Sequence, residues 1–179
     1  MRIISGKYKG KKLDGFNIEG TRPTMDRVKE SLFGIIQNYI KGSIVLDLFA
    51  GTGSLGIEAL SNGSSKCYFV DNGKDIKKSL LNNIKEIDDC IYLDLDYQKA
   101  IDKFSVEKIK FDIIFLDPPY HKHIINNAIS QIVEKHILAN NGIIVCEYED
   151  ELIEKLDDFL IIKEKKYGDK NIIILKSVN

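Results

Sequence analysis

The chain has 179 residues with a net charge of −1 and 44% hydrophobic content, which fits one globular domain with a sizeable core and excludes an intrinsically disordered chain. No apolar run approaches the roughly 20 residues needed to span a bilayer. The N-terminus, Met1-Arg2-Ile3-Ile4-Ser5-Gly6, has no apolar signal core, so a cytoplasmic location is expected. Cys67, Cys90 and Cys146 lie far apart without CxxC spacing, so free thiols on strands are expected and no metal site.

The charge is uneven. Residues 1–43 hold nine Lys/Arg against four Asp/Glu, while the remainder is acidic. The first thirteen residues carry five basic side chains and no acid. That pattern suits docking of a polyanion; a solvated Lys-rich tail is the plainer alternative.

In chain order, residues 1–24 read as a short basic extension with Gly-punctuated strands. From Asp26 to Ile40 apolar residues fall at 28, 32, 35, 36 and 39, a helical spacing. Thr24 is the expected N-cap, with Pro23 holding the chain extended before it. Strands and helices then alternate. Strands are expected at Ile44–Asp47, Cys67–Asp71, Ile91–Leu93, Phe111–Leu116 and Ile143–Cys146. Helices are expected near 53–61, 74–87, 97–104, 123–137 and 150–156. Such alternation with non-amphipathic strands implies a parallel sheet covered on both faces. Phe159–Ile162 and Ile172–Leu175 flank a turn at 167–171, adding a terminal antiparallel hairpin. Asp47, Asp71 and Asp117 each fall at the carboxyl end of a strand, where ligands bind in open sheets.

Gly51-Thr52-Gly53-Ser54-Leu55-Gly56 matches G-x-G-x-x-G between a strand and a helix, and Asp71 lies 20 residues beyond Gly51. A dinucleotide is one reading. The full run, however, is Asp47-Leu48-Phe49-Ala50-Gly51-Thr52-Gly53, and a carboxylate ahead of the glycines would repel a pyrophosphate. It would attract the sulfonium and α-ammonium of S-adenosylmethionine. Asp71 is the candidate for the ribose. Asp94 and Asp96 are both candidates for the adenine amine, with Asp96 favoured.

Phe111–Leu116 runs straight into Asp117-Pro118-Pro119-Tyr120. An exocyclic amine on a nucleobase is a poor nucleophile because its lone pair is delocalised. The Asp117 carboxylate and the Pro118 carbonyl can each accept one of its N–H groups and favour pyramidalisation. Consecutive prolines hold those acceptors in place beforehand. Tyr120 offers a face for an extruded base. His121 and His123 follow without an evident third metal ligand and are read as loop residues touching RNA or solvent; His136 is read as a helix-end residue.

With these motifs assembled, the sequence resembles the RsmD family of ribosomal small-subunit RNA methyltransferases. Four segments carry the resemblance: Gly6–Leu13, Arg22–Phe33 (RPTMDRVKESLF), Asp47–Gly56 continuing to Glu58-Ala59, and Asp117–Tyr120. It implies an α/β, Rossmann-like class I S-adenosylmethionine-dependent methyltransferase. Its sheet would be seven-stranded and mostly parallel with a C-terminal antiparallel hairpin. Residues 1–24 would form the RNA-contacting extension and 25–179 the methyltransferase domain. The implied reaction is methyl transfer to the exocyclic N2 of a guanine in 16S rRNA, guanine 966. The substrate would be free 16S rRNA or an assembling small ribosomal subunit, with no obligate protein partner and a monomeric enzyme. Thr24, Asp47, Phe49, Ala50, Gly51, Thr52, Gly53, Asp71 and Asp96 would bind cofactor. Asp117, Pro118, Pro119 and Tyr120 would catalyse. Arg2, Lys7, Lys9, Lys11, Lys12, Arg22 and Arg27 would contact RNA. The rival readings are an adenine-N6 methyltransferase, a protein glutamine-N5 methyltransferase and a non-catalytic NAD-binding module.

Overall fold

The computed structural model describes residues 1–15, 22–119, 124–149, 153–154 and 157–178, with the side chains of the first helix described from residue 26. The elements are α1 (Arg22–Ile40), β1 (Ile44–Asp47), α2 (Ser54–Ser61), β2 (Lys66–Val70), α3 (Lys74–Ile84) and β3 (Cys90–Leu93). They continue with α4 (Tyr97–Val106), β4 (Phe111–Leu116), α5 (Ile125–Glu134), β5 (Leu138–Tyr148), β6 (Phe159–Tyr167) and β7 (Lys170–Ser177). The strands form one sheet in the order β3-β2-β1-β4-β5-β7-β6. β1 to β5 pair in parallel, and β7 slots antiparallel between β5 and β6. The chain direction across the sheet reverses between β1 and β4, so a crevice opens there beyond the strand ends.

Because side chains alternate along a strand, each buried strand feeds two cores. Val45, Ile113, Phe115, Val145 and Ile174 face one cluster, which α1, α2 and α3 cover with Ile36, Ile57 and Leu80. Leu46, Ile114, Leu116, Cys146 and Leu175 face the other, covered by Ile101 and Phe104 of α4 and Ile129 and Ile132 of α5. The cysteines lie on strands, Cys67 and Cys146 buried and Cys90 half-buried. Among the described residues no helix is long and apolar enough to cross a membrane.

The basic N-terminus folds back on itself. The Ile3 N–H donates to the Lys11 carbonyl at 2.9 Å, the Leu13 N–H donates to the Met1 carbonyl at 3.1 Å, and Arg2 bridges antiparallel to Lys12. Ile3 and Leu13 are buried in the core under α1 to α3. Gly6 makes this docking possible: its φ is +77°, and a Cβ there would lie 1.8 Å from the Ser61 carbonyl oxygen at the end of α2.

Several sequence expectations need correction. α1 begins at Arg22, so Thr24 is inside its first turn and is not the N-cap. Pro23 is tolerated there because first-turn N–H groups have no helical acceptor. β5 is 11 residues long instead of four, because its ladder with β4 jumps from Phe111↔Leu138 to Ile113↔Ile143 and the polar residues between bulge outward. α5 stops at Glu134, three residues early, and His136 follows with a left-handed φ of 53°. The expected helix near 150–156 falls largely outside the described residues.

Candidate active site

The glycine loop is held from below by two strand-end carboxylates. Asp47 Oδ2 accepts from the Gly56 N–H at 3.0 Å, and Asp71 Oδ2 accepts from the Gly51 N–H at 2.8 Å. The other Asp71 oxygen accepts from the Gly73 N–H at 2.7 Å, ahead of α3. Gly51 and Gly53 take left-handed φ values of 53° and 82°. Gly56 lies so close to β2 that a Cβ would meet the Phe69 ring at 2.4 Å. Glycine is therefore required for the turn, for the bare backbone and for helix–strand contact. Burial pushes the Asp47 carboxyl up to about 7; the Gly56 N–H opposes the rise and the neighbouring Asp71 adds to it.

Above this loop lies an open cleft of about 700 Å³, lined on the sheet side by Asp47, Phe49, Ala50, Gly51, Thr52 and Asp117. Its opposite wall comes from the N-terminal segment and α1, through Met1, Gly15, Val28, Lys29 and Leu32. Asn83 of α3 pins this wall to the loop. Its side-chain amide donates to the Thr52 carbonyl at 2.9 Å and to the Asp14 carbonyl at 3.2 Å, and its oxygen accepts from the Asp14 N–H at 2.8 Å. Lys29 is buried and donates to the Arg2 carbonyl at 2.8 Å and to Ser54 Oγ at 3.1 Å. Burial lowers its ammonium from the usual lysine range, and the partner Glu58 opposes that fall.

The far end of the cleft is acceptor-rich. Asp117 is half-buried and follows Leu116, which pairs with Cys146 across the β4–β5 ladder, so Asp117, just past β4, lies beside Glu147 of β5. Glu147 forms an ion pair with Lys170 of β7. All three line the cleft. Burial pushes the Asp117 carboxyl well above the usual carboxylate range. The charge of Glu147 adds to the rise, Lys170 opposes it, and Asp47 adds a smaller push. Pro118 is buried and Pro119 exposed.

The cleft thus gathers Asp47, Phe49, Ala50, Gly51, Thr52 and Asp117 of the expected site. Asp71 stands just behind the loop. Asp96 caps α4 by accepting from the Gln98 N–H at 2.9 Å, whereas Asp94 pairs with Lys77 at 2.6 Å. The ring of Tyr97, next to Asp96, sits 5.3 Å from that of Phe49. Tyr120, His121 and His123 lie outside the described residues, as do the side chains of Arg22 and Thr24. The basic residues divide. Arg2, Lys9, Lys12 and Arg27 line one groove of about 850 Å³ with Asp26 and Glu30. Lys7 and Lys11 turn away to pair with Asp88 at 3.2 Å and Glu86 at 3.5 Å. Sequence reasoning missed Lys29, Glu147 and Lys170. Lys29 sits among the apolar positions of α1, a signal that was readable; the other two meet only through the antiparallel β5–β7 register.

Comparison with known proteins gives the family and the fold. A family model described as Conserved hypothetical protein 95 matches residues 1–176. Ribosomal RNA small subunit methyltransferase D of Haemophilus influenzae is 38% identical over 176 residues, covering 94% of this chain and 89% of its own. The chain belongs to the RsmD family of rRNA methyltransferases. Two solved structures match this RsmD-family chain over nearly its whole length. For yhhF from Escherichia coli the TM-score is 0.87 at 26% identity, covering 99% of this chain and 97% of that one. For HI0767 from Haemophilus influenzae it is 0.80 at 31% identity, covering 99% and 98%. The RsmD-family fold is the expected class I methyltransferase α/β fold with its C-terminal antiparallel hairpin.

Proposed function

We propose that this chain transfers a methyl group from S-adenosylmethionine to the exocyclic N2 of a guanine in 16S rRNA, acting as a cytoplasmic monomer on free RNA or on an assembling small subunit. The observation that carries the reading is the placement of Asp47 and Asp117 on either side of the chain reversal, facing one cleft beside the bare Gly51–Gly53 backbone. The cleft fits S-adenosylmethionine. Left-handed glycines leave room for close approach, and the buried Asp47 carboxylate favours a cation where a pyrophosphate would be repelled. Asp71 keeps a second lone pair on each oxygen for ribose hydroxyls. Asp96 is the favoured partner of the adenine amine, with the Phe49–Tyr97 ring pair beside it.

When bound, the cofactor supplies an electrophilic methyl on a sulfonium, so the sulfur is already a good leaving group. The protein's task is then mainly positioning. Asp117 and the Pro118 carbonyl accept the two N–H groups of the target amine, draw its lone pair out of conjugation and aim it along the S–CH3 axis. The amine proton released on transfer has the Asp117 carboxylate as its nearest acceptor. Tyr120 stacks the extruded base. The groove of Arg2, Lys9, Lys12 and Arg27 holds flanking phosphates.

The test is to incubate the protein with labelled S-adenosylmethionine and either undermethylated 30S particles or naked 16S rRNA, then digest and map the nucleosides. Label in N2-methylguanine is expected. Label in N6-methyladenine or in protein, with none in N2-methylguanine, would sink the reading.

A further inference from the structure

The Glu147–Lys170 pair is a mixed acceptor–donor element beside the amine-gripping Asp117. The three residues stand on neighbouring strands in the order β4, β5, β7. Asp117 follows the end of β4 and Glu147 lies within β5, each one residue beyond the paired Leu116 and Cys146. Lys170 begins β7 and lies over Glu147, whose register partner is Ile172. Their side chains are largely shielded, 16% exposed for Glu147 and 30% for Lys170, yet both line the cleft. Across the cleft end the chemistry therefore runs acceptor, acceptor, donor.

A guanine presents the complementary series on its Watson–Crick edge: the N2 amine and N1–H donate, and O6 accepts. Adenine presents a different series, a donor at N6 and an acceptor at N1. We infer that Glu147 and Lys170 are the specificity-determining residues for guanine, with Glu147 accepting from N1–H and Lys170 donating to O6 while Asp117 holds the N2 amine. The ion pair survives this arrangement, since a carboxylate has about four lone-pair sites and an ammonium three donors. A neutralised pair also avoids placing a lone charge against the base. An adenine-like edge would set an acceptor against Glu147 and a donor against Lys170.

This inference rests on the guanine-N2 reading, and one experiment separates the two. RNA substrates are prepared with guanine or 2,6-diaminopurine at the mapped target. The diaminopurine keeps the N2 amine but replaces O6 with an amine and lacks N1–H. Wild-type kcat/KM should favour guanine by on the order of ten- to a hundredfold. Glu147→Ala and Lys170→Met should each lower transfer to guanine by more than transfer to diaminopurine and so shrink the preference. Lys170→Arg, which keeps a donor, should retain most of it. Equal loss on both substrates would overturn the inference, because it would mean that the pair only positions Asp117. A wild-type enzyme that treats the two bases alike would overturn it too while leaving guanine-N2 transfer standing. Failure to methylate either base at N2 would end both.

Discussion

Lys29 Nζ lies 3.0 Å from Glu58 Oε2, with both side chains almost wholly shielded from water. Glu58 also accepts from the backbone N–H groups of Ile4 and Ser5, at 3.0 and 2.9 Å. One buried pair thereby joins α1, α2 and the N-terminal hairpin behind the cofactor cleft. Removing one member of a buried pair strands the other charge, at a cost of about 3–5 kcal/mol. Glu58→Gln should lower stability by that order in urea unfolding. A change below about 1 kcal/mol would show that the pair does not hold the hairpin down.

Asp47 should impose a pH dependence on cofactor binding. Its carboxyl rises from an ordinary 3.8 to about 7 through burial. Between those values the folded chain holds a proton that the unfolded chain has released. The group's stabilising contribution, roughly 4 kcal/mol at most, is full below pH 3.8 and is lost as pH rises through about 7. Above that point the ionised carboxylate favours the sulfonium and α-ammonium. Ligand-free thermal stability should therefore fall from about pH 5 towards about 8 while affinity for S-adenosylmethionine rises. Calorimetry on wild type and Asp47→Asn checks this, and the variant should show a flatter affinity profile.

Asp117→Ala should reduce methyl transfer about a hundredfold or more, the scale seen when one preorganised polar group aimed at developing charge is removed. Affinity for S-adenosylmethionine should stay within about twofold, because the glycine loop and Asp47 are untouched. Loss of both in parallel titrations would assign Asp117 to folding.

The two groups of basic residues should behave differently towards RNA. Lys9→Gln with Lys12→Gln should flatten the dependence of log K on log salt by about 0.7–0.9 for each phosphate that is no longer neutralised. Lys7→Gln with Lys11→Gln should matter less, since Asp88 and Glu86 already sit against those ammonium groups. Identical slopes for the two double variants would show that the groove lined by Lys9 and Lys12 has no special role.

The parallel core was legible because buried strands carry apolar runs such as Ile113–Leu116, and because glycines and acids mark the strand ends. The full length of β5 was not, since Asn140 and Asn141 interrupt its apolar run where the ladder with β4 jumps. Within the site, Asp47 and Asp117 could be found from local motifs. Glu147 and Lys170 could not, being 23 residues apart and joined only by strand register. Lys29 and Glu58 illustrate a different limit: Lys29 falls on the apolar stripe of α1, but only packing shows that its buried partner is Glu58.

The insertion of β7 between β5 and β6 also ties one end of the cleft to strand register. The glycine loop and its two carboxylates come from a contiguous stretch, residues 44–73, whose β1–β2 pairing is local in sequence. The acceptor end needs β7 to enter the sheet beside β5, against a strand already flanked by β4. A slip of β7 by one residue against β5 would turn Lys170 to the other face of the sheet, away from Glu147, so this end of the cleft stands or falls with strand register.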